Sequence, residues 1–225
     1  MNKEPIKEFR RYITKEIEPA IEDLGNLDEK SRVHIQKLMY TNLVDRFDTM
    51  IDTLIMTNCR EESFVERSLA DMSGNVTESD LIKILIHGEN LQGALDIKLR
   101  NGLRNTVLRD RHSKKLTTLM SVFCPDTETT NIPRVNPPTG KIVGKSTPQK
   151  AVKIPYSISG YADWLYSRRN SIVHGGGTNK FLENDRKQLK KIYRREPAKT
   201  FSIKLSSLTV SVAFYKDVLD LLETE

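Results

Sequence analysis

Residues 161–177 read YADWLYSRRNSIVHGGG, and the placement of their apolar side chains decides how the chain folds. On a helix of about 100° per residue with Tyr161 at the origin, Leu165 falls near 40° and Ile172 near 20°, which marks a buried stripe. Asn170 and His174 fall at roughly 180° and 220°, on the opposite face and one turn apart, so they are neighbours. Arg169 lies on the flank at about 80°, whereas Arg168 at about 340° points toward the apolar stripe. Ser157 or Ser159 is available as the N-cap, and Gly175-Gly176-Gly177 is a strong stop signal.

Helical periodicity extends outward from this segment in both directions. Ile6, Phe9, Ile13, Ile17 and Leu24 recur at three- and four-residue steps, with Pro19 expected to kink or split their helix. The longest run spans Asp28 to about Cys59, with Val33, Leu38, Leu43, Phe47, Met50, Ile51, Leu54 and Ile55 as core positions. Shorter helices are expected near 61–72 and 78–87, the second opened by an approximate Thr77–Asp80 capping box. A helix over 90–110 shows Leu91, Leu95, Leu99 and Leu103 on one side. After the glycines, a helix should run from Asn179 to Arg195 and end near Pro197. Phe201, Ile203 and Leu205 alternate as a short strand or extended link, and Ser206 or Ser207 is placed to cap a last helix. Residues 124–160 hold six of the nine prolines and no helical period, and read as a long loop or insertion. The fold class is therefore all-α, in one domain over 1–225.

Composition narrows the function. The 225 residues are 37% hydrophobic, a lean core that leaves apolar surface for a partner chain. No stretch approaches the roughly 18 apolar residues of a membrane span, and the charged N-terminus lacks a signal-peptide core. Cys59 and Cys124 are far apart and form neither a disulfide framework nor a metal knuckle. A soluble, cytoplasmic protein without a membrane partner is expected. The net charge of +6 is uneven. Residues 1–97 carry 12 basic and 19 acidic side chains, 98–115 carry 7 against 1, and 161–199 carry 10 against 4. Two concentrated basic segments suit a polyanion, although such runs also simply solvate helix faces.

The set at the end of the 161–174 helix has a definite chemistry. Histidine titrates near neutrality and can take and return a proton. Arginine offers a fixed fork of donors to phosphate oxygens, and asparagine can orient either group. On RNA the ribose 2′-OH is an internal nucleophile, so neither metal nor cofactor is required. Against this, Arg-x4-His is a short motif, and a terminal histidine also complements a helix dipole.

Arg169-Asn170-Ser171-Ile172-Val173-His174 followed by glycine resembles the signature of the HEPN superfamily: Arg, four to six residues, then His, often with a polar residue directly after the Arg. The extended piece and last helix are similar to the RiboL-PSP-HEPN branch. The motif covers six residues, and the helical layout extends the resemblance weakly over most of the chain. It implies a helical bundle that dimerises to join two Arg/His sets in one cleft, and a metal-independent endoribonuclease of a toxin or antiphage defence system, with an antitoxin or defence protein as partner. Carried over by position, Arg169 stabilises phosphate charge, Asn170 orients the site and His174 transfers the proton, leaving a 2′,3′-cyclic phosphate and a 5′-hydroxyl. Arg168 is the alternative arginine, at a spacing the family also allows. Where some toxins carry a modifiable tyrosine after the histidine, this chain has glycine.

On this reading Arg100, Arg104, Arg109 and Arg111 in one basic segment, and Lys187, Lys190 and Lys191 in the other, flank the cleft and grip RNA together with Arg168. His112, among Arg109, Arg111, Lys114 and Lys115, reads as part of a solvated basic turn or as an RNA contact. Trp164 and Tyr166 can stack a base, with Trp164 better suited to the core or a dimer seam. The rivals are a non-catalytic nucleic-acid-binding or scaffold subunit and, last, a small-molecule enzyme, for which no phosphate loop or paired acidic ligands are seen.

Overall fold

The computed structural model describes residues 1–70, 78–86, 91–129, 134–143 and 153–224. The fold is all-α. Its helices are α1 (Glu4–Tyr12), α2 (Glu18–Asp23), α3 (Glu29–Thr57), α4 (Glu62–Ala70), α5 (Glu78–Ile86), α6 (Leu91–Asn105), α7 (His112–Phe123), α8 (Ile158–His174), α9 (Glu183–Tyr193) and α10 (Leu205–Glu223). Among the described residues the only β-type pairings are two isolated antiparallel bridges, Val135 with Ile142 and Lys180 with Thr200.

Pro19 acts as its chemistry requires. It has no N–H to give and its ring would strike the carbonyl one turn back. The chain widens to a π-helical turn over Ile13–Ile17, in which Glu18 N–H reaches Ile13 O, and α2 restarts with Pro19 in its first turn.

The long helix α3 begins where Asp28 accepts hydrogen bonds from Lys30 N and Ser31 N, both at 3.1 Å. Leu43, Phe47, Met50, Ile51, Leu54 and Ile55 are buried as expected. Val33 and Leu38 are not: they are 39% and 55% exposed, because they face away from the core while Gln36 and Tyr40 of the same turns face into it. The Thr77–Asp80 cap falls outside the described residues. The helix expected over 90–110 ends at Asn105, and a 3-10 turn over Val107–Arg109 leads into α7. Residues 124–157 are irregular where described, as the prolines imply.

Ser157 is the N-cap of α8, accepting from Gly160 N at 3.2 Å, and Gly177 N returns to Ile172 O at 3.1 Å to close a Schellman end. Gly176 and Gly177 take φ of 66° and 76°, a region that favours glycine. The next helix starts four residues later than expected. Phe181 N donates to Lys199 O and Phe201 N to Asn179 O, which holds both segments extended as a link rather than a strand. The last helix begins at Leu205, before either candidate cap; Ser207 instead reaches back to accept from Lys204 N.

Buried side chains of α1, α3, α7, α8 and α10 join in one cluster. At its centre Phe47 stacks on Tyr215 at 4.2 Å, with Phe9 edge-on and Phe214 tilted against Tyr215. Helix α8 lies between α3, α7 and α9, so three elements decide what surrounds its polar side chains.

Candidate active site

Arg169 projects from α8 onto α3. Its Nη2 donates to Asp45 Oδ2 at 3.0 Å, while Nε lies 2.6 Å from Asp45 Oδ1, close but off-axis. The same guanidinium donates from Nη1 to Asn170 Oδ1 at 3.2 Å, and Asn170 Nδ2 points to Asp185 Oδ2 of α9 at 3.4 Å. His174, one turn beyond Asn170, is exposed and has no hydrogen-bond or ion-pair partner among the described residues. Burial pushes the Asp185 carboxyl up from its ordinary value, with Asn170, Arg111 and His174 opposing that rise and Asp163 adding to it. The expected trio is thus brought together, with two unanticipated carboxylates on its flanks.

Arg168 faces the other way, as its angle on the helix implies. It is buried, donating to Ser202 O at 2.8 Å and Ser207 Oγ at 3.1 Å. Its guanidinium lies over the rings of Trp164, Tyr40 and Phe201 at 4.7, 5.0 and 5.4 Å. Grouping it with the RNA-gripping cations is therefore corrected: it is a cation of the core. The Tyr40 hydroxyl below it donates to Leu165 O, and burial pushes its pKa up to about 12.

His112 is neither solvated nor placed to touch RNA. The start of α7 packs into α3 and α8, where His112 Nδ1 meets Asp48 Oδ1 at 2.7 Å and its ring lies flat against Tyr166 at 4.8 Å. Lys115 completes the set, 2.8 Å from Asp48 and 2.6 Å from Asp52. Tyr166 thus has one face covered, and Trp164 carries Arg168 on one side and tilts against Tyr161 on another. Trp164 takes the packing role.

The remaining cations divide by helix. Arg111 pairs with fully buried Asp163 of α8 at 2.6 Å, which seats the α7 start beside the Asp185 end of the site. Arg109, Lys187 and Lys191 are exposed; Lys190 is exposed and pairs with Glu196 at 2.8 Å. These lysines share α9 with Asp185. Arg100 and Arg104 are exposed on α6, which packs chiefly on α4, and are not gathered at the Arg169 end.

Burial alone would raise the Asp48 carboxyl, but His112 and Lys115 overcome it and hold it down to about 2. Because the folded value lies below the unfolded one, this stabilisation is full above the ordinary carboxylate pKa and disappears as pH falls through about 2. It amounts to roughly 2 kcal/mol. Asp52, which burial raises, acts in the opposite sense. Urea unfolding between pH 5 and 2 should therefore fall more steeply for the wild type than for Asp48→Asn; parallel curves would rule the Asp48 contribution out.

Asp45, Asp48 and Asp52 were not singled out in the sequence, although they recur at three- and four-residue steps on one face of the longest helix. Asp163 and Asp185 carry no such local signal. Comparison with protein-family models, curated proteins and solved structures finds no match.

Proposed function

We propose that the chain is a HEPN-type endoribonuclease that cleaves RNA without a metal ion, by attack of a ribose 2′-OH on the adjacent phosphorus. The observation that carries the reading is an exposed His174, without a hydrogen bond or ion pair among the described residues, one turn from the Arg169–Asn170 pair. His174 takes the 2′-OH proton, the new O2′–P bond forms, and the P–O5′ bond breaks as O5′ accepts a proton. The products are a 2′,3′-cyclic phosphate and a 5′-hydroxyl. Arg169 carries the charge that builds on the phosphorane oxygens.

A homodimer supplies a second His174, so one imidazole acts as base while the other protonates O5′. Exposed Val33 and Val173 support such an interface, since Lys37, one turn beyond Val33 on the same face of α3, donates from Nζ to Gly177 O at 2.7 Å and so ties that face to the α8 end. RNA is held along α9 by Lys187, Lys190 and Lys191, and its binding should weaken steeply with salt. A toxin or antiphage role, with an antitoxin or defence protein as partner, fits this chemistry.

One observation favours a second reading, a non-catalytic RNA-binding or assembly subunit: Asp45 already neutralises Arg169. Incubation of purified protein with total RNA in EDTA decides between them. The expected result is new cyclic-phosphate ends with the wild type and none with His174→Ala. No new ends from either would favour the scaffold, and equal cleavage by both would place the chemistry elsewhere.

A further inference from the structure

Arg169 makes more contacts than a phosphate ligand requires, from α3 and from its own helix α8, and a third helix, α9, reaches it through Asn170. A guanidinium has five N–H groups: one on Nε and two on each terminal nitrogen. Asp45 of α3 faces Nε and takes one hydrogen of Nη2, and Asn170 of α8 takes one of Nη1. One N–H is left on each terminal nitrogen. Two such donors in one plane are the fork that receives two oxygens of a phosphate. The far end of Asn170 is occupied as well, by Asp185 of α9. Its amide therefore has its oxygen toward the arginine and its nitrogen toward the carboxylate.

We propose that Asp45 and Asp185 are the positioning residues of this site, gripping the Arg169–Asn170 pair from two sides so that the guanidinium presents one fixed edge to the scissile phosphate. The inference rests on the phosphodiester-cleaving reading above. Stability gives a poor account of the same contacts. The Asp45 side chain is 42% exposed, and ion pairs that open to water contribute about 0–1 kcal/mol. Orientation accounts for them better. A free arginine has about 2 kcal/mol of rotamer entropy to lose before it can meet a phosphate in one geometry, and a small misplacement at a reacting centre costs rate heavily. Asp45 fixes the plane of the guanidinium, and Asp185 fixes which way the Asn170 amide is turned. Neither carboxylate needs to touch the substrate.

Two paired substitution cycles test this. Asp45→Asn preserves size and removes charge, so the chain should fold, which its melting temperature checks. Its kcat for RNA cleavage should fall about 10- to 100-fold while KM stays within about twofold, the pattern of lost positioning rather than lost binding. In an Arg169→Ala background the same change should cost nothing more, since Asp45 acts through Arg169. Asp185→Asn should lower kcat about threefold to tenfold, and should cost much less in an Asn170→Ala background, where only its charge interaction with His174 is left to lose.

A readout independent of turnover is rotation of the Arg169 Nη2 group, which donates to Asp45, followed on guanidinium N–H resonances assigned by their absence in Arg169→Ala. It should be slow in the wild type and fast in Asp45→Asn. Effects that add in full in the double variants, a freely rotating wild-type Nη2, or an Asp45→Asn protein that cleaves faster than wild type would each overturn the inference while leaving the nuclease reading intact. The last is the result expected if Asp45 competes with the phosphate. A wild-type protein that cleaves no RNA would instead overturn the nuclease reading, and the positioning role with it.

Discussion

Alanine at position 174 should lower RNA cleavage by about 10²- to 10⁴-fold, the range for loss of a positioned general acid–base group. The fold should be indifferent to the change. His174 is exposed in the last turn of α8 and makes no hydrogen bond or ion pair among the described residues, so little beyond its favourable place near the helix C-terminus and its charge interaction with Asp185 is lost. That placement is worth about 0.3–1 kcal/mol when the ring is charged. Single-turnover cleavage beside a thermal melt separates the two effects: rate should collapse while melting temperature hardly moves. Wild-type rates in the variant would remove His174 from the chemistry altogether.

Arg168→Ala should do the reverse. The substitution empties a space among Trp164, Tyr40 and Phe201 and removes the guanidinium's hydrogen bonds to the Ser202 carbonyl and the Ser207 hydroxyl, which keep only each other and Lys204 N. Large-to-small changes in a core cost about 2–5 kcal/mol, and for a chain of this length that lowers the melting temperature by about 5–15 °C. Lysine should not rescue it, because a compact ammonium cannot lie flat against aromatic rings as a guanidinium does. Below the melting transition, RNA cleavage should persist, because the side chain points away from Arg169, Asn170 and His174. A stable Arg168→Ala protein without activity would make Arg168 the phosphate ligand and displace Arg169 from that role.

What was legible in the sequence was what neighbours along the chain determine. The start of the long run at Asp28, the Pro19 break and the glycines after His174 are set within one or two turns, and α1, α3 and α8 begin or end accordingly. The inward direction of Arg168 followed from its angle alone. Periodicity does not say which flank of a helix its partners cover, which is why Val33 and Leu38 are exposed while Gln36 and Tyr40 are buried. Nor does it foresee the pairing of 179–181 with 199–201, which keeps the chain extended where a helix was expected. His112 was misjudged for a related reason. A basic neighbourhood in sequence became an acidic one in space once α7 docked on Asp48 and Asp52. The two carboxylates beside Arg169 and Asn170 arrive from 124 residues before and 15 residues after their partners, distances over which no local pattern operates.

The glycine exit from α8 has an evolutionary consequence. Gly176 and Gly177 have left-handed backbones and, among the described residues, nothing within 4 Å of where a side chain would begin. Extra residues can enter there without colliding with the bundle, while Leu182 N, held by Ser171 Oγ at 3.0 Å, re-anchors the chain before α9 starts. The lysine-bearing helix is therefore joined to the Arg169–His174 helix by a stretch that tolerates changes of length. On the proposed nuclease reading, relatives that lengthen or recompose α9 would alter which RNAs are captured without disturbing how they are cut, and target choice and cutting chemistry would diverge at separate rates.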